Sequence, residues 1–162
     1  EVGAETNATM LDVGATALYL ATQNGHEQCA RLLLNAGANP NIRPKYGLMR
    51  EATLLMNGAE TGNSAVLEAL LNAGADPDAQ SRTGWTALMI ASARGHLNAV
   101  QLLAHHTNAL DAKNAQGQTA LQLAVDKGFP QVARALIRAQ NQQRPTKKTG
   151  QSGIGTDPSF KP

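Results

Sequence analysis

The sequence has one cysteine, few aromatic residues and no long apolar run. Cys29 alone cannot form an intramolecular disulfide, which excludes a small disulfide-stabilised fold. Aromatic residues make up 3% of the 162 residues and hydrophobic residues 42%, so a core must be built mainly from Leu, Ala, Val and Ile. No segment approaches the roughly 18 apolar residues that a membrane helix needs, and no secretory signal pattern is visible. These absences predict a soluble protein, which we place in the cytoplasm.

The positive charge is concentrated at the C-terminal end. Residues 141–162 hold four Lys or Arg and one Asp, a net charge of +3, whereas residues 1–140 hold ten Lys or Arg and eleven Asp or Glu, a net charge of −1. The same end is rich in Gly, Pro, Ser, Thr and Gln with little apolar periodicity, so we predict a disordered basic tail over 141–162. Because its cations are few and scattered, we predict little nucleic-acid binding.

A motif recurs four times along the chain. A Thr is followed two residues later by Leu and nine residues later by Gly. The four Thr residues are Thr16, Thr53, Thr86 and Thr119, at intervals of 37, 33 and 33 residues. A fixed interval of this length is typical of a repeat protein.

Each motif predicts a pair of helices. The Thr hydroxyl can accept a backbone N–H at the start of a first helix, and the Gly permits the left-handed turn that ends it. A second helix follows, which in the first motif carries Cys29, Leu32 and Leu33 on an apolar face, and it ends where Gly37 supplies a positive φ. A polar connector then leads to the next Thr and is suited to a β-turn finger. One pair cannot bury both of its apolar faces, so neighbouring pairs must stack.

The motifs resemble the ankyrin repeat. They read TALYLATQNGHEQCARLLLNAGANPN, TLLMNGAETGNSAVLEALLNAGADPD, TALMIASARGHLNAVQLLAHHTNALD and TALQLAVDKGFPQVARALIRAQ. The resemblance implies an all-α ankyrin-repeat solenoid of stacked antiparallel helix pairs with projecting β-turn fingers. We place the repeat domain at 11–140, with repeats at about 11–43, 44–80, 81–113 and 114–140. Residues 1–10 are then the end of a preceding repeat or a linker, and we expect the chain to be part of a longer protein.

The motifs also depart from the family pattern. They have neither the Pro nor the His of the usual Thr-Pro-Leu-His. Asn57-Gly58 places an amide and a flexible residue inside a first helix, which predicts that the second repeat is the least stable. The pair is either a polar anchor for a ligand or a frayed or water-bridged helix, and we favour the second interpretation. Thr107 replaces the Gly that closes the other second helices, so we expect Asn108 to make that turn.

No residue pattern predicts catalysis. His26 and His96 follow the Gly of the inter-helix turn, where the family commonly has Gly-His for structural capping, so we predict a structural role for both. His105 and His106 are adjacent on one helix and point about 100° apart, so they do not suit one metal ion. Cys29 occupies an apolar helical position and is predicted to be a buried, inert thiol. Nucleophile, phosphate-binding and paired-carboxylate motifs are absent, so we predict no enzyme, no cofactor and no metal.

The resemblance implies that the chain binds another protein, through finger tips and the concave face of the first helices. The predicted partner-binding residues are Arg43, Lys45, Tyr46, Met49, Arg50, Arg82, Thr83, Trp85, Arg94, Gln116, Gln118 and Lys127. Trp85 is the only tryptophan, and Trp and Arg are enriched at binding hot spots. The alternative is that its indole packs on a neighbouring finger. The first finger is four residues longer than the next, which indicates either a contact surface or a tolerated insertion.

Two functions remain from this reasoning. The first is a protein-interaction module that acts as a scaffold or adaptor, with a partner that the residues do not identify. The second is the adaptor region of a larger enzyme or secreted effector whose active domain lies outside this chain. We treat the chain as a monomer.

Overall fold

The computed structural model describes residues 16–43 and 52–143. These residues form eight α-helices and no β-sheet. The helices are α1 Ala17–Gln23, α2 Glu27–Asn35, α3 Leu54–Thr61, α4 Ser64–Asn72, α5 Ala87–Arg94, α6 Leu97–His106, α7 Ala120–Asp126 and α8 Pro130–Gln143. We refer to the successive pairs as units one to four. None of the described helices has the length and apolar character needed to cross a membrane.

The first helix of every unit begins at the predicted Thr. The hydroxyls of Thr16, Thr53, Thr86 and Thr119 each accept the backbone N–H three residues later, at 3.1 to 3.3 Å. This bond satisfies one of the amide groups that a helix start leaves unpaired. The glycine nine residues further on has a φ between 70° and 77° in all units, which permits the reversal into the second helix.

The helices pack in two layers. The first helices α1, α3, α5 and α7 contact one another in that order, and so do the second helices α2, α4, α6 and α8. Leu18, Leu55 and Leu88, the leucines that follow the capping Thr, are at most 2% exposed. One continuous core of Leu, Ala, Val and Met side chains runs through the stack. The predicted all-α solenoid of stacked helix pairs is therefore confirmed.

The position after each inter-helix glycine joins a unit to the one before it. Asn63 Nδ2 donates to the carbonyl oxygen of Gly25 at 3.1 Å, and His96 Nε2 donates to that of Glu60 at 3.1 Å. In unit four the ring of Phe129 covers Gly95 instead. The side chain of His96 makes no capping bond to α6, so it serves as a bond between units and not as the predicted cap.

The helix disturbance that we expected at Asn57-Gly58 of unit two is not fraying. Helix α3 runs without interruption through both residues, so of the favoured interpretation, a frayed or water-bridged helix, the frayed form is not observed. Close packing explains the glycine at position 58, because a Cβ there would lie 3.0 Å from a methyl carbon of Leu67. Asn57 is 5% exposed, and its Nδ2 has no hydrogen-bond partner among the described residues.

The C-terminal end of the stack differs in two places from what the sequence predicted. Helix α6 ends at Thr107, whose backbone is extended and whose hydroxyl donates to Asp78. Helix α8 continues through Gln143, three residues past the position where we placed the end of the domain. Gln143 Nε2 donates to the carbonyl oxygen of Thr107 at 2.9 Å, which joins the last helix to unit three. The predicted tail from 144 onwards lies outside the described residues, as do residues 1–15.

Candidate partner-binding groove

Two fingers project beside the first helices. In the finger before α5, Ser81 N–H donates to the carbonyl oxygen of Trp85 at 2.9 Å, and in the finger before α7, Asn114 N–H donates to that of Gln118 at 3.1 Å. The fingers are joined by a bond of 2.9 Å from Ala115 N–H to the carbonyl oxygen of Thr83. Backbone bonds within and between the fingers therefore hold their tips in a fixed position.

A groove of about 620 Å³ lies between the Ser81–Trp85 finger and the first helices of units two to four. Its apolar lining consists of Ala52, Met56, Trp85, Ile90 and Ala93, of which Ala52 and Met56 are buried. Trp85 and Ile90 are half-buried, so each side chain packs on the core and still presents surface to the groove. The indole of Trp85 therefore packs on the core and also lines the groove, and its role in binding stays a prediction.

The helix ends supply the charged part of the groove. Glu60 of α3, Arg94 of α5 and Lys127 after α7 line this side. Arg94 Nη2 forms an ion pair with Glu60 Oε1. The side chains of Arg94 and Glu60 are 58% and 30% exposed, so the pair contributes only about 0–1 kcal/mol to stability. Its main effect is to occupy the one acidic side chain of the groove wall.

The structure places four of the predicted residues together. Thr83, Trp85, Arg94 and Lys127 all line the groove. Arg82, at the tip of the same finger, is exposed but does not line it.

The remaining predicted residues lie apart from the groove or outside the described residues. Gln116 is exposed on the next finger, where Gln118 Nε2 donates to Asp126 Oδ2 at 3.4 Å. Arg43 Nη1 donates to the carbonyl oxygen of Gln80 at 3.0 Å, which ties the start of the long finger to the connector before α5. Four residues of the long finger, Lys45, Tyr46, Met49 and Arg50, lie outside the described residues.

Sequence reasoning missed Ala52, Met56, Ser81 and Ile90 as groove residues. Met56 and Ile90 occupy helical positions that look like ordinary core positions in the repeats. The polar Asn57 at the position of Ile90 in unit two gave no usable signal, because Asn57 is itself buried.

The prediction that Cys29 is a buried thiol is wrong. Cys29 is exposed, whereas Val66, Ala99 and Val132 at the same position of the later units are at most 2% exposed. Leu32, predicted for the same apolar face, is 69% exposed. The reason is position in the stack, because among the described residues no helix pair precedes unit one on that side.

No group of three or more His, Cys, Asp or Glu side chains in the described part of the chain is arranged to hold a metal ion. His105 and His106 are both exposed at the end of α6. His26 is exposed and makes no capping bond from its side chain to α2.

Comparison with protein families agrees with the helix pairs and fingers. Residues 55–149 match the model for ankyrin repeats in three copies, and residues 13–45 match the model for the single ankyrin repeat. The chain belongs to the ankyrin-repeat family. Ankyrin repeats are generally protein-interaction modules, and the groove lies on the face that this ankyrin stack presents with its first helices and fingers.

Several curated proteins contain similar ankyrin repeats. Ankyrin repeat and KH domain-containing protein mask-1 of Caenorhabditis elegans is 38% identical over 124 residues, which cover 75% of this chain and 5% of that protein. Ankyrin repeat and SAM domain-containing protein 6 of Danio rerio is 32% identical over 133 residues, covering 70% of this chain and 18% of that protein. The human NAD-capped RNA hydrolase NUDT12 is 38% identical over 65 residues, 40% of this chain and 14% of that protein. The chain thus spans less than a fifth of the length of each of these relatives.

Proposed function

We propose that this chain is a protein-interaction module that binds a segment of another protein in the groove between the Ser81–Trp85 finger and the first helices of units two to four. The observation that carries the proposal is the combination of a preformed concave surface with a half-buried tryptophan beside an arginine. Trp and Arg contribute a large share of binding energy in protein interfaces when a bound partner encloses them in a well-packed, desolvated pocket.

The rigidity of the groove supports the proposal. The finger that carries Trp85 is closed by its own backbone bonds and is joined to the next finger by the bond from Ala115 to Thr83. The opposite wall consists of helices whose buried residues belong to the continuous core. A surface that is ordered before binding loses little conformational entropy when the partner docks. The exposed Arg82 and Gln116 then serve as rim contacts, and the long finger, with Arg43, Lys45, Tyr46, Met49 and Arg50, is a second contact surface.

The test compares captured partners between variants of the full chain. Immobilised wild type, Trp85→Ala with Arg94→Ala, and the control Ile137→Ala with Arg134→Ala are each incubated with lysate. Both double variants remove one large apolar side chain and one cation, but Arg134 and Ile137 are exposed on α8, away from the groove. We expect the wild type and the control to retain the same proteins and the groove variant to lose them. Equal retention by all three would refute the groove as the binding surface.

We also propose a second function, in which this chain acts as the adaptor region of a larger protein. The relatives favour it, since their names describe a KH domain, a SAM domain and a hydrolase activity, and the matched repeats occupy only a small share of each. On this proposal the repeat region recognises a protein and carries no catalytic step of its own. Sequencing the complete transcript tests the proposal of a larger protein, because a coding region limited to the repeats would contradict it.

The exposed free Cys29 fits a reducing compartment, so we place the protein in the cytoplasm.

A further inference from the structure

We propose that the groove selects a polypeptide segment in which a large apolar side chain lies next to a carboxylate. This inference rests on the proposed function and specifies the chemistry of the partner. It follows from the division of the groove into an apolar part at the finger and a cationic part at the helix ends.

The charges of the groove favour an acidic partner. Of its three charged wall residues, Glu60 is already neutralised by the ion pair with Arg94. Lys127 has no acidic partner among the described residues, so the wall carries a net charge of +1 with one cation available. The neighbouring Asp126 accepts a hydrogen bond from Gln118 and does not line the groove. A partner carboxylate beside Lys127 would be attracted by its ammonium group, whereas a partner cation would be repelled by it.

The apolar part has room for an anchor. Trp85 and Ile90 are both half-buried, so part of each side chain remains available to a partner. Burial of a Leu, Ile, Phe or Met side chain against them removes apolar surface from water, which favours binding. Ser81 and Thr83 also line the groove. Ser81 Oγ accepts from Trp85 N–H at 3.1 Å and lies 3.2 Å from Thr83 Oγ1, so one hydroxyl donor of the two is left for a partner backbone.

The dimensions of the groove determine how long the segment is. The wall residues come from α3, α5 and the end of α7, three neighbouring first helices. Helices in contact lie about 8–10 Å apart, so the groove crosses roughly 20 Å. An extended chain advances about 3.3 Å per residue, so roughly six residues cross it. One anchor and one acidic residue therefore fall within the same short segment.

The test uses Trp85 as its own reporter, because it is the only tryptophan of the chain. A random dodecapeptide library displayed on phage is selected against the full 162-residue chain. Enriched sequences are then synthesised in pairs, with each acidic residue retained or replaced by its amide. Binding to the wild type, Lys127→Gln and Arg134→Gln is followed by Trp85 fluorescence. Arg134 is an exposed residue of α8, so the two variants lose the same charge at different places.

We expect enriched peptides to carry an acidic residue within two positions of a large apolar one and to change the Trp85 emission. Replacing Glu by Gln in the peptide, or Lys127 by Gln in the protein, should weaken binding about threefold to tenfold, and Arg134→Gln should leave it unchanged.

Two other results separate the two proposals. Peptides that change Trp85 emission but contain no acidic preference, or prefer Lys and Arg, would overturn the inference and leave the groove as a binding surface. Peptides that bind without changing Trp85 emission, or a selection that enriches nothing, would overturn the inference and count against the proposed function as well.

Discussion

The imidazole Nε2 of His96 lies 3.1 Å from the backbone carbonyl oxygen of Glu60, so the start of α6 in unit three is joined to the end of α3 in unit two. The ring also covers Gly62, where a Cβ would lie 2.6 Å from its atoms. Glu60 presents its side chain to the groove and its carbonyl group to His96. The bond between units thereby positions one wall of the groove.

Replacing His96 by Ala should therefore weaken the stack. The change removes a bond between units and leaves the carbonyl group of Glu60 without this partner, which costs about 1–2 kcal/mol of unfolding free energy. The matched control is His26→Ala, because His26 is exposed at the same position of unit one and its side chain caps no helix. Urea unfolding followed by circular dichroism should show a loss for His96→Ala and a change within about 0.5 kcal/mol for His26→Ala. Equal losses would show that the bond to Glu60 is not the cause.

Replacing Asn57 by Leu should stabilise the protein. The buried Nδ2 of Asn57 has no partner among the described residues, and a buried donor without a partner costs about 1–3 kcal/mol. Leu20, Ile90 and Leu123 occupy the same position in the other units, so an aliphatic side chain suits the helix. We expect the unfolding free energy to rise by about 1 kcal/mol, whereas Asn98→Leu, at an exposed position of α6, should change it little. A decrease for Asn57→Leu would show that the amide group makes a bond that the variant loses.

Two glycines with the same backbone conformation should differ in their tolerance of Ala. Gly95 and Gly128 both have a φ of 77°, so Ala is strained at either position by roughly 1–2 kcal/mol. A Cβ at Gly95 would also lie 2.6 Å from the ring of Phe129, whereas one at Gly128 would meet no atom within 4 Å. Gly95→Ala should therefore cost about 1–3 kcal/mol more than Gly128→Ala. Thermal unfolding of the two variants measures this difference, and equal midpoints would exclude the contact with Phe129.

The thiol of Cys29 should react in the native protein. It is exposed in the structure, unlike the corresponding residues of the later units. With Ellman's reagent at pH 8 we expect complete reaction of one thiol without denaturant, at a rate close to that in guanidinium chloride. A thiol that reacts only after unfolding would mean that another part of the protein covers this face of unit one.

The local elements were predictable because their causes are local. The Thr caps and the positive-φ glycines follow from hydrogen bonding and backbone geometry within about ten residues, so the helix pairs could be placed from the recurring motif alone. Asn57-Gly58 shows the limit of such reasoning. Propensity suggested a disturbed helix, but Gly58 allows Leu67 to approach closely, and that approach depends on how α3 and α4 pack.

By itself the sequence determined the repeat, the order of the helices and the all-α stack, whereas the choice of Thr83, Trp85, Arg94 and Lys127 as partner-binding residues rests on the family resemblance and stays a prediction. Only the tertiary structure decided that these four meet Met56 and Ile90 in one groove, that Arg94 neutralises Glu60, and that Cys29 is exposed. The physical reason is that capping and turn formation depend on neighbours along the chain. Burial and charge pairing instead depend on residues about 33 or 37 positions away, which the stacking of one unit on the next brings into contact.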